Sequence, residues 1–175
     1  TPRRWLVQCN QGLTKLINDT IGNGWETHLD KLKDLEPHAK KAAFRKKFAK
    51  VKKEKKEQLA TYIKRVMDET LDTDALFDIQ IKRIHEYKRQ LMACLHAITL
   101  YNRLKADPNY KMAPRVIMFA GKAAPGYHIA KQIIRLINAV SDKVNNDPDT
   151  RDKLKVLFVP NYSVTLAEKL IPAAD

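Results

Sequence analysis

The chain lacks most of the signatures that reveal chemistry at sight. Its two cysteines, Cys9 and Cys94, form no CxxC pair, so a reduced, cytoplasmic compartment is expected. No apolar run approaches the ~20 residues that cross a bilayer, and no secretory leader pattern is present. Neither Gly-x4-Gly-Lys-Ser/Thr nor GxGxxG occurs, which removes the P-loop and the dinucleotide fingerprint. The five histidines show no metal-ligand spacing, and no Ser-His-Asp arrangement can be read. Acidic residues are also short, with 20 Asp and Glu against 33 Lys and Arg and a net charge of +13.

Where that charge sits matters more than its size. Between Lys40 and Arg65 there are twelve Lys and Arg against Glu54 and Glu57. Two readings are open for this segment: a solvated helix face, or a basic nucleic-acid-binding module. The remaining composition is that of a soluble globular protein, and 175 residues suffice for one domain with a substantial core. The chain starts at Thr1 rather than Met and stops at Asp175, so an excerpt from a longer protein is expected.

Patterning divides the chain in two. Residues 1–75 carry only helical spacing, beginning at TPRRW with Pro2 suited to a helix start. Leu13, Leu16 and Ile17 form one short stripe, which Gly22 and Gly24 break. A second stripe runs through Phe44, Phe48, Val51, Leu59, Tyr62, Ile63 and Val66. Lys55 interrupts it, which predicts two helices or one bent helix. Residues 76–175 then alternate strand and helix. Phe77, Ile79 and Ile81 alternate with Asp78, Gln80 and Lys82 as in a strand. Tyr87 to Lys105 is expected to be helical, ending at Asp107, Pro108 and Asn109. Val116 to Phe119 is an apolar run suited to a strand buried on both faces. Ile129, Ile133, Leu136, Ile137, Val140 and Val144 mark an amphipathic helix, stopped by Asn145 to Pro148. Val156 to Val159 is a third strand. A last helix follows NYSVTLAEKLI, with Ser163 or Thr165 available to cap it. The predicted fold class is α/β: a helical segment, then a β-α-β-α-β-α Rossmann-like parallel sheet.

In such a sheet, ligands bind beyond the carboxyl ends of the strands. Three loops lie there: 83–88, 121–126 and 161–165. The first carries the most chemistry. Lys82, Arg83, Lys88 and Arg89 crowd one strand-to-helix join, where their repulsion favours an anion among them. Arg83 could grip a phosphate as a fork and Lys82 and Lys88 as point charges, while Tyr87 offers a hydroxyl suited to a sugar. The alternative is an exposed basic helix start with its stems packed on the sheet. The second loop, GKAAPG, reads as a tight turn that needs glycine, with Lys122 as an auxiliary. His85 and Glu86 are not expected to form a dyad.

Taken together, TPRRWL, FDIQIKRIHEYKRQ, GKAAPGYHIAK, NNDP and AEKLIPAAD resemble the α-glucan phosphorylases, the family of glycogen, starch and maltodextrin phosphorylases. The motifs stand in family order over the whole chain, and in detail they are most similar to a bacterial maltodextrin phosphorylase. The resemblance implies part of the C-terminal nucleotide-binding-like domain of a GT-B type enzyme. Such an enzyme moves glucosyl units from an α-1,4-glucan to inorganic phosphate, giving glucose 1-phosphate. It implies pyridoxal phosphate as cofactor, a homodimer as the full-length protein, and neither nucleic acid nor membrane as partner.

By that resemblance, Arg83 and Lys88 grip the substrate phosphate and Tyr87 meets the glucosyl unit. Lys82, Trp5, Tyr162, Ser163 and Val164 line the cofactor. Ser163 departs from the arginine of the animal enzymes, which leaves backbone contacts there rather than a side-chain role. Tyr127 matches an aromatic residue at the site entrance. The family's catalytic glutamate and the lysine that holds the cofactor follow the segment matched by IPAAD. The 175 residues alone are therefore expected to be inactive and, with an open sheet edge, to self-associate.

Overall fold

A computed structural model describes residues 3–107 and 109–175. The expected helix start at Pro2 and the stop at Pro108 lie outside the described residues. The chain divides into two compact units. The first comprises the described residues up to Thr73 with Glu168–Ala173, and the second Asp74–Ala167 with Ala174–Asp175.

The first unit contains only helices. A short π-helical stretch, Arg3–Gln8, precedes α1 (Gln11–Ile21). The Asn10 side chain caps α1 by accepting from the Leu13 N–H at 3.4 Å. Gly22 and Gly24 end it with φ of +79° and +91°, a conformation that costs glycine little. Trp25 is fully buried and donates its indole N–H to Asn18 Oδ1 at 2.7 Å. A 3-10 stretch, Leu29–Leu35, and the single turn α2 (Glu36–Ala39) lead into α3 (Ala42–Met67). Of the two forms expected for this segment, the pair of separate helices is not seen. No Gly or Pro lies within α3, and a lysine stem can pack along an apolar stripe without breaking a helix. Leu59 and Ile63 supply its buried face.

The second unit is an α/β fold. β1 (Leu76–Ile81), β2 (Arg115–Ala120) and β3 (Leu154–Phe158) form an open parallel sheet in the order β1-β2-β3. α4 (Gln90–Ala106) and α5 (His128–Asn145) make the crossovers, and α6 (Val164–Ala173), whose residues from Glu168 on belong to the first unit, follows β3. Successive crossovers of one hand place consecutive helices on the same face. Cys94, Ala97 and Leu100 of α4 and Ile133, Ile137 and Val140 of α5 accordingly share one core with Ile117, Phe119, Leu154 and Val156. Val116, Met118 and Leu157 alternate with these and are equally buried, so the central strand is apolar on both faces.

α4 begins later than the sequence spacing indicated. Glu86–Lys88 form a separate 3-10 turn, and Arg89 stands in the left-handed region at φ +61° before Gln90 opens the helix. Tyr87 and Lys88 therefore lie ahead of α4 rather than on its first turn. α5 and β3 fall within one or two residues of their expected bounds.

Both outer edges of the sheet carry side-chain partners. At the edge of β1, the Phe77 N–H donates to the Asp175 carboxylate at 2.9 Å, and the Asp175 N–H donates to the Phe77 carbonyl at 3.0 Å. At the edge of β3, the Val156 carbonyl accepts from Ser141 Oγ at 2.6 Å and Asn145 Nδ2 at 2.8 Å, and its N–H donates to Asn145 Oδ1 at 2.9 Å. These bonds occupy strand groups that would otherwise be free to pair with another chain.

Gly121, which follows β2, has no freedom to be another residue. A Cβ there would lie 2.1 Å from the Lys82 carbonyl oxygen and 2.9 Å from Ile84 Cδ1. The expected need for glycine in this turn is thus a need for space. Gly121→Ala must push the backbone of the first loop aside and is expected to cost about 1–3 kcal/mol, read as a fall in the urea midpoint at unchanged slope.

The loop after α5 is held by Asp147. Its carboxylate accepts from the Tyr101 hydroxyl at 2.7 Å, the Asp149 N–H at 3.0 Å and the Lys105 ammonium at 3.3 Å. Led by the Tyr101 bond, these partners pull the carboxyl down to about 2. A depressed carboxyl contributes stability that is full above its unfolded value near ~4 and lost as pH falls toward the folded value. Asp147→Asn is therefore expected to flatten the decline in melting temperature between about pH 4 and pH 2, measured by circular dichroism.

Candidate functional site

The candidate site is built at the carboxyl end of β1. The strand direction carries past Ile81, because the Lys82 N–H still donates to the Ala120 carbonyl and the Ile84 N–H to the Lys122 carbonyl, both at 3.1 Å. Ile84 is buried, at 1% exposed, while Lys82 and Arg83 are both exposed to solvent. Neither of these cations has an ion-pair partner among the described residues. Lys88 is half-buried, and its ammonium lies 5.6 Å from the centre of the Tyr87 ring.

The loop contains one acid, Glu86, and its carboxylate is engaged elsewhere. It accepts from the Tyr127 hydroxyl at 2.6 Å, and the Tyr127 oxygen in turn accepts from the Glu86 N–H at 3.4 Å. The Glu86 bond raises the Tyr127 phenol above its ordinary value. Glu86 makes no ion pair with the loop cations, so the positive charge at this strand end is not neutralised internally. The expectation that His85 and Glu86 form no dyad agrees with these bonds. His85 instead packs its ring 4.1 Å from Tyr87 and 4.9 Å from Tyr127, and its Nδ1 accepts from the Tyr87 N–H at 3.4 Å.

The first and second loops are therefore physically joined, through the backbone bonds to Ala120 and Lys122 and through Tyr127. The third loop follows β3, with β2 between it and the first, so about two strand spacings of ~4.8 Å separate the two strand ends. There Asn161 takes a left-handed φ of +56°. Ser163 caps α6 by accepting from the Leu166 N–H at 3.2 Å, one of the two caps expected. Tyr162 is half-buried, while Ser163 and Val164 are exposed. Trp5 belongs to the other unit, in the Arg3–Gln8 stretch.

Topology marks the same strand end. The sheet is laid down from β1 through β2 to β3, and α6 then returns the chain so that Asp175 bonds the far edge of β1. In open parallel sheets of this kind ligands bind beyond the carboxyl ends of the strands.

Two contributors escaped sequence reasoning. Gln90 is 1% exposed, donates to the Arg83 carbonyl at 3.3 Å and accepts from the His85 N–H at 3.4 Å. Gln80 donates to the Lys88 carbonyl at 3.0 Å. Gln90 left one signal, a polar residue four positions before Cys94 on the buried face of α4, while Gln80, among the polar residues that alternate along β1, left none.

Comparison with known proteins places the chain as a whole. A carbohydrate phosphorylase family model matches residues 1–175. The chain belongs to the carbohydrate phosphorylase family. Over its full length it is 54% identical to the muscle form of glycogen phosphorylase from Mus musculus and from Oryctolagus cuniculus. It is 53% identical to a glycogen phosphorylase from Synechocystis. The chain spans 21% of the length of each of these relatives. The family resemblance drawn from the motifs is thereby borne out. Identity is level between animal and bacterial relatives and does not itself select a subtype.

Proposed function

We propose that this chain forms the phosphate-binding side of an α-1,4-glucan phosphorylase, a glycosyltransferase that yields glucose 1-phosphate from glucan and inorganic phosphate. The observation that carries this reading is the unneutralised cation loop at the carboxyl end of β1, in a chain matched along its whole length by the phosphorylase family. Arg83 presents a planar fork that suits two phosphate oxygens, and Lys88 adds a point charge. Tyr87, 71% exposed, offers its hydroxyl to the glucosyl unit.

The donor set at this strand end also fits a phosphate-bearing cofactor. Lys82 is exposed and without an ion-pair partner among the described residues, as a residue facing an anion requires. In this reading Lys82 holds the phosphate of pyridoxal phosphate. Tyr162, Ser163 and Val164 contribute to its surroundings, Ser163 through its backbone. When bound, the cofactor supplies a phosphate group that exchanges a proton with the substrate phosphate. Two neighbouring unit charges of one sign repel by about 4 kcal/mol at ~4 Å in a partly screened site. Lys82, Arg83 and Lys88 oppose that repulsion, which is why one or two cations would not suffice. The lysine that holds the cofactor and the catalytic glutamate belong, in this proposal, to a segment other than these 175 residues. The isolated chain is then inactive, and the active form is a full-length, cytoplasmic homodimer.

In the full-length protein, Arg83→Ala and Lys88→Ala are each expected to reduce phosphorolysis on the order of a hundredfold, with the loss expressed chiefly toward phosphate. Unchanged steady-state rates for both variants would overturn the reading.

A second reading has one observation in its favour. Lys40, Lys41, Lys46, Lys47 and Lys50 are all exposed at and beyond the start of α3, and no acid lies between Glu36 and Glu54. A nucleic-acid module would use this surface. The phosphorylase reading instead makes it a solvated face. Replacing Lys40, Lys41, Lys46 and Lys47 by Gln should then leave phosphorolysis unchanged. Tight, steeply salt-dependent binding of a polynucleotide that these replacements abolish would favour the second reading.

A further inference from the structure

The side-chain amides of Gln80 and Gln90 are engaged with the backbone of the cation loop. Gln90 donates to the carbonyl of Arg83 at 3.3 Å and accepts from the N–H of His85 at 3.4 Å. Gln80 donates to the carbonyl of Lys88 at 3.0 Å. A carbonyl oxygen can only accept, so in each case the amide nitrogen must face the loop. The loop between Ile81 and Glu86 has no helical or strand ladder of its own. Its other backbone bonds among the described residues run from the Lys82 and Ile84 N–H groups to β2 and its continuation, and from the Lys88 N–H to the His85 carbonyl at 2.9 Å.

Burying an amide side chain disfavours folding unless its bonds are met. Gln90 is nevertheless almost wholly buried, and both ends of its amide are partnered by loop backbone. Each glutamine also stands on a regular element, Gln80 in β1 and Gln90 at the start of α4. One amide thus ties the backbone of Arg83 to the helix, and the other ties the backbone of Lys88 to the strand. A mobile loop would let like charges drift apart, since nothing in it neutralises them. Fixing the two carbonyls opposes that drift.

We propose that Gln80 and Gln90 are positioning residues that set the spacing of Arg83 and Lys88 for a phosphate anion, neither touching the anion itself. This rests on the phosphorylase reading of the loop.

The test uses the full-length enzyme and measures kcat, the KM for inorganic phosphate and the KM for glucan. Gln90→Met and Gln80→Met keep much of the volume and remove the amide, and Gln80→Leu removes it with a second uncharged side chain. Each is expected to raise the KM for phosphate about tenfold or more, since small misplacements of a binding group are costly, with the KM for glucan unchanged. In an Arg83→Ala background, Gln90→Met should add little further, because it acts through Arg83. Gln80→Met should likewise add little to Lys88→Ala. Equal rises in both KM values, or effects that multiply with those of the alanine variants, would mean a merely structural role and overturn the proposal. Should Gln90→Met fail to fold, the half-buried Gln80 variants decide the matter by the same criteria. If Arg83→Ala and Lys88→Ala themselves leave the KM for phosphate unchanged, the underlying reading falls. If they weaken phosphate but the glutamine variants do not, only the positioning role falls.

Discussion

Like charges repel, and four permanent cations lie within eight residues at one end of β1. The local structure is organised around keeping them there. The Lys82 and Ile84 N–H groups extend the pairing with β2 beyond the strand proper, so the loop leaves the sheet in a fixed direction. Ile84 is buried as an apolar anchor between the outward Arg83 and the packed His85. Tyr127 engages the Glu86 carboxylate, the only acid in the loop. An ion pair within the loop would have relieved the repulsion and left little positive potential for a ligand. The observed bonds instead keep the backbone ordered and the charge available.

That order depends on how closely two chains can run. The carbonyl of Lys82 approaches Gly121 so tightly that even a methyl group would clash. The constraint originates in the parallel register of β1 and β2, which brings Ile81 beside Ala120 and hence the two loops beside each other. The register is in turn held by the core beneath it, where Ile117 and Phe119 pack against α4 and α5. Apolar packing under the central strand therefore positions charges that are themselves exposed, and a loss in that core would be felt at the loop.

The strands and α5 were legible because their signals are local. Phe77, Ile79 and Ile81 alternate, Val116 to Phe119 run apolar, and the α5 stripe repeats at helical spacing. The start of α4 was not legible, because Arg89 adopts a left-handed conformation without the Gly or Asn that usually announces one. The continuity of α3 was masked by Lys55, whose charge breaks the apolar stripe but not the helix. Within the site, the charge at Lys82, Arg83 and Lys88 was plain, and the α/β rule placed it at a binding edge. Specific roles for those residues came only through resemblance to a family, since spacing left the anion and the bland readings both open. Gln80 and Gln90 were hidden for a different reason. Their partners are backbone groups of an irregular loop, and no periodicity encodes such a bond.

The return of the chain to the far edge of β1 sets this strand apart from β2 and β3. A strand with neighbours laid down in one direction has helices closing over its end in regular succession. At β1 the direction changes: β2 lies on one side, and Asp175 bonds the other. The densest cationic loop in the second unit stands at the carboxyl end of β1. A clash-limited turn and an unneutralised charge cluster thus meet at residues 82–88 from separate physical causes. The family match covers the whole chain without distinguishing its parts, so the assignment of an anion to these residues rests on their charge and geometry.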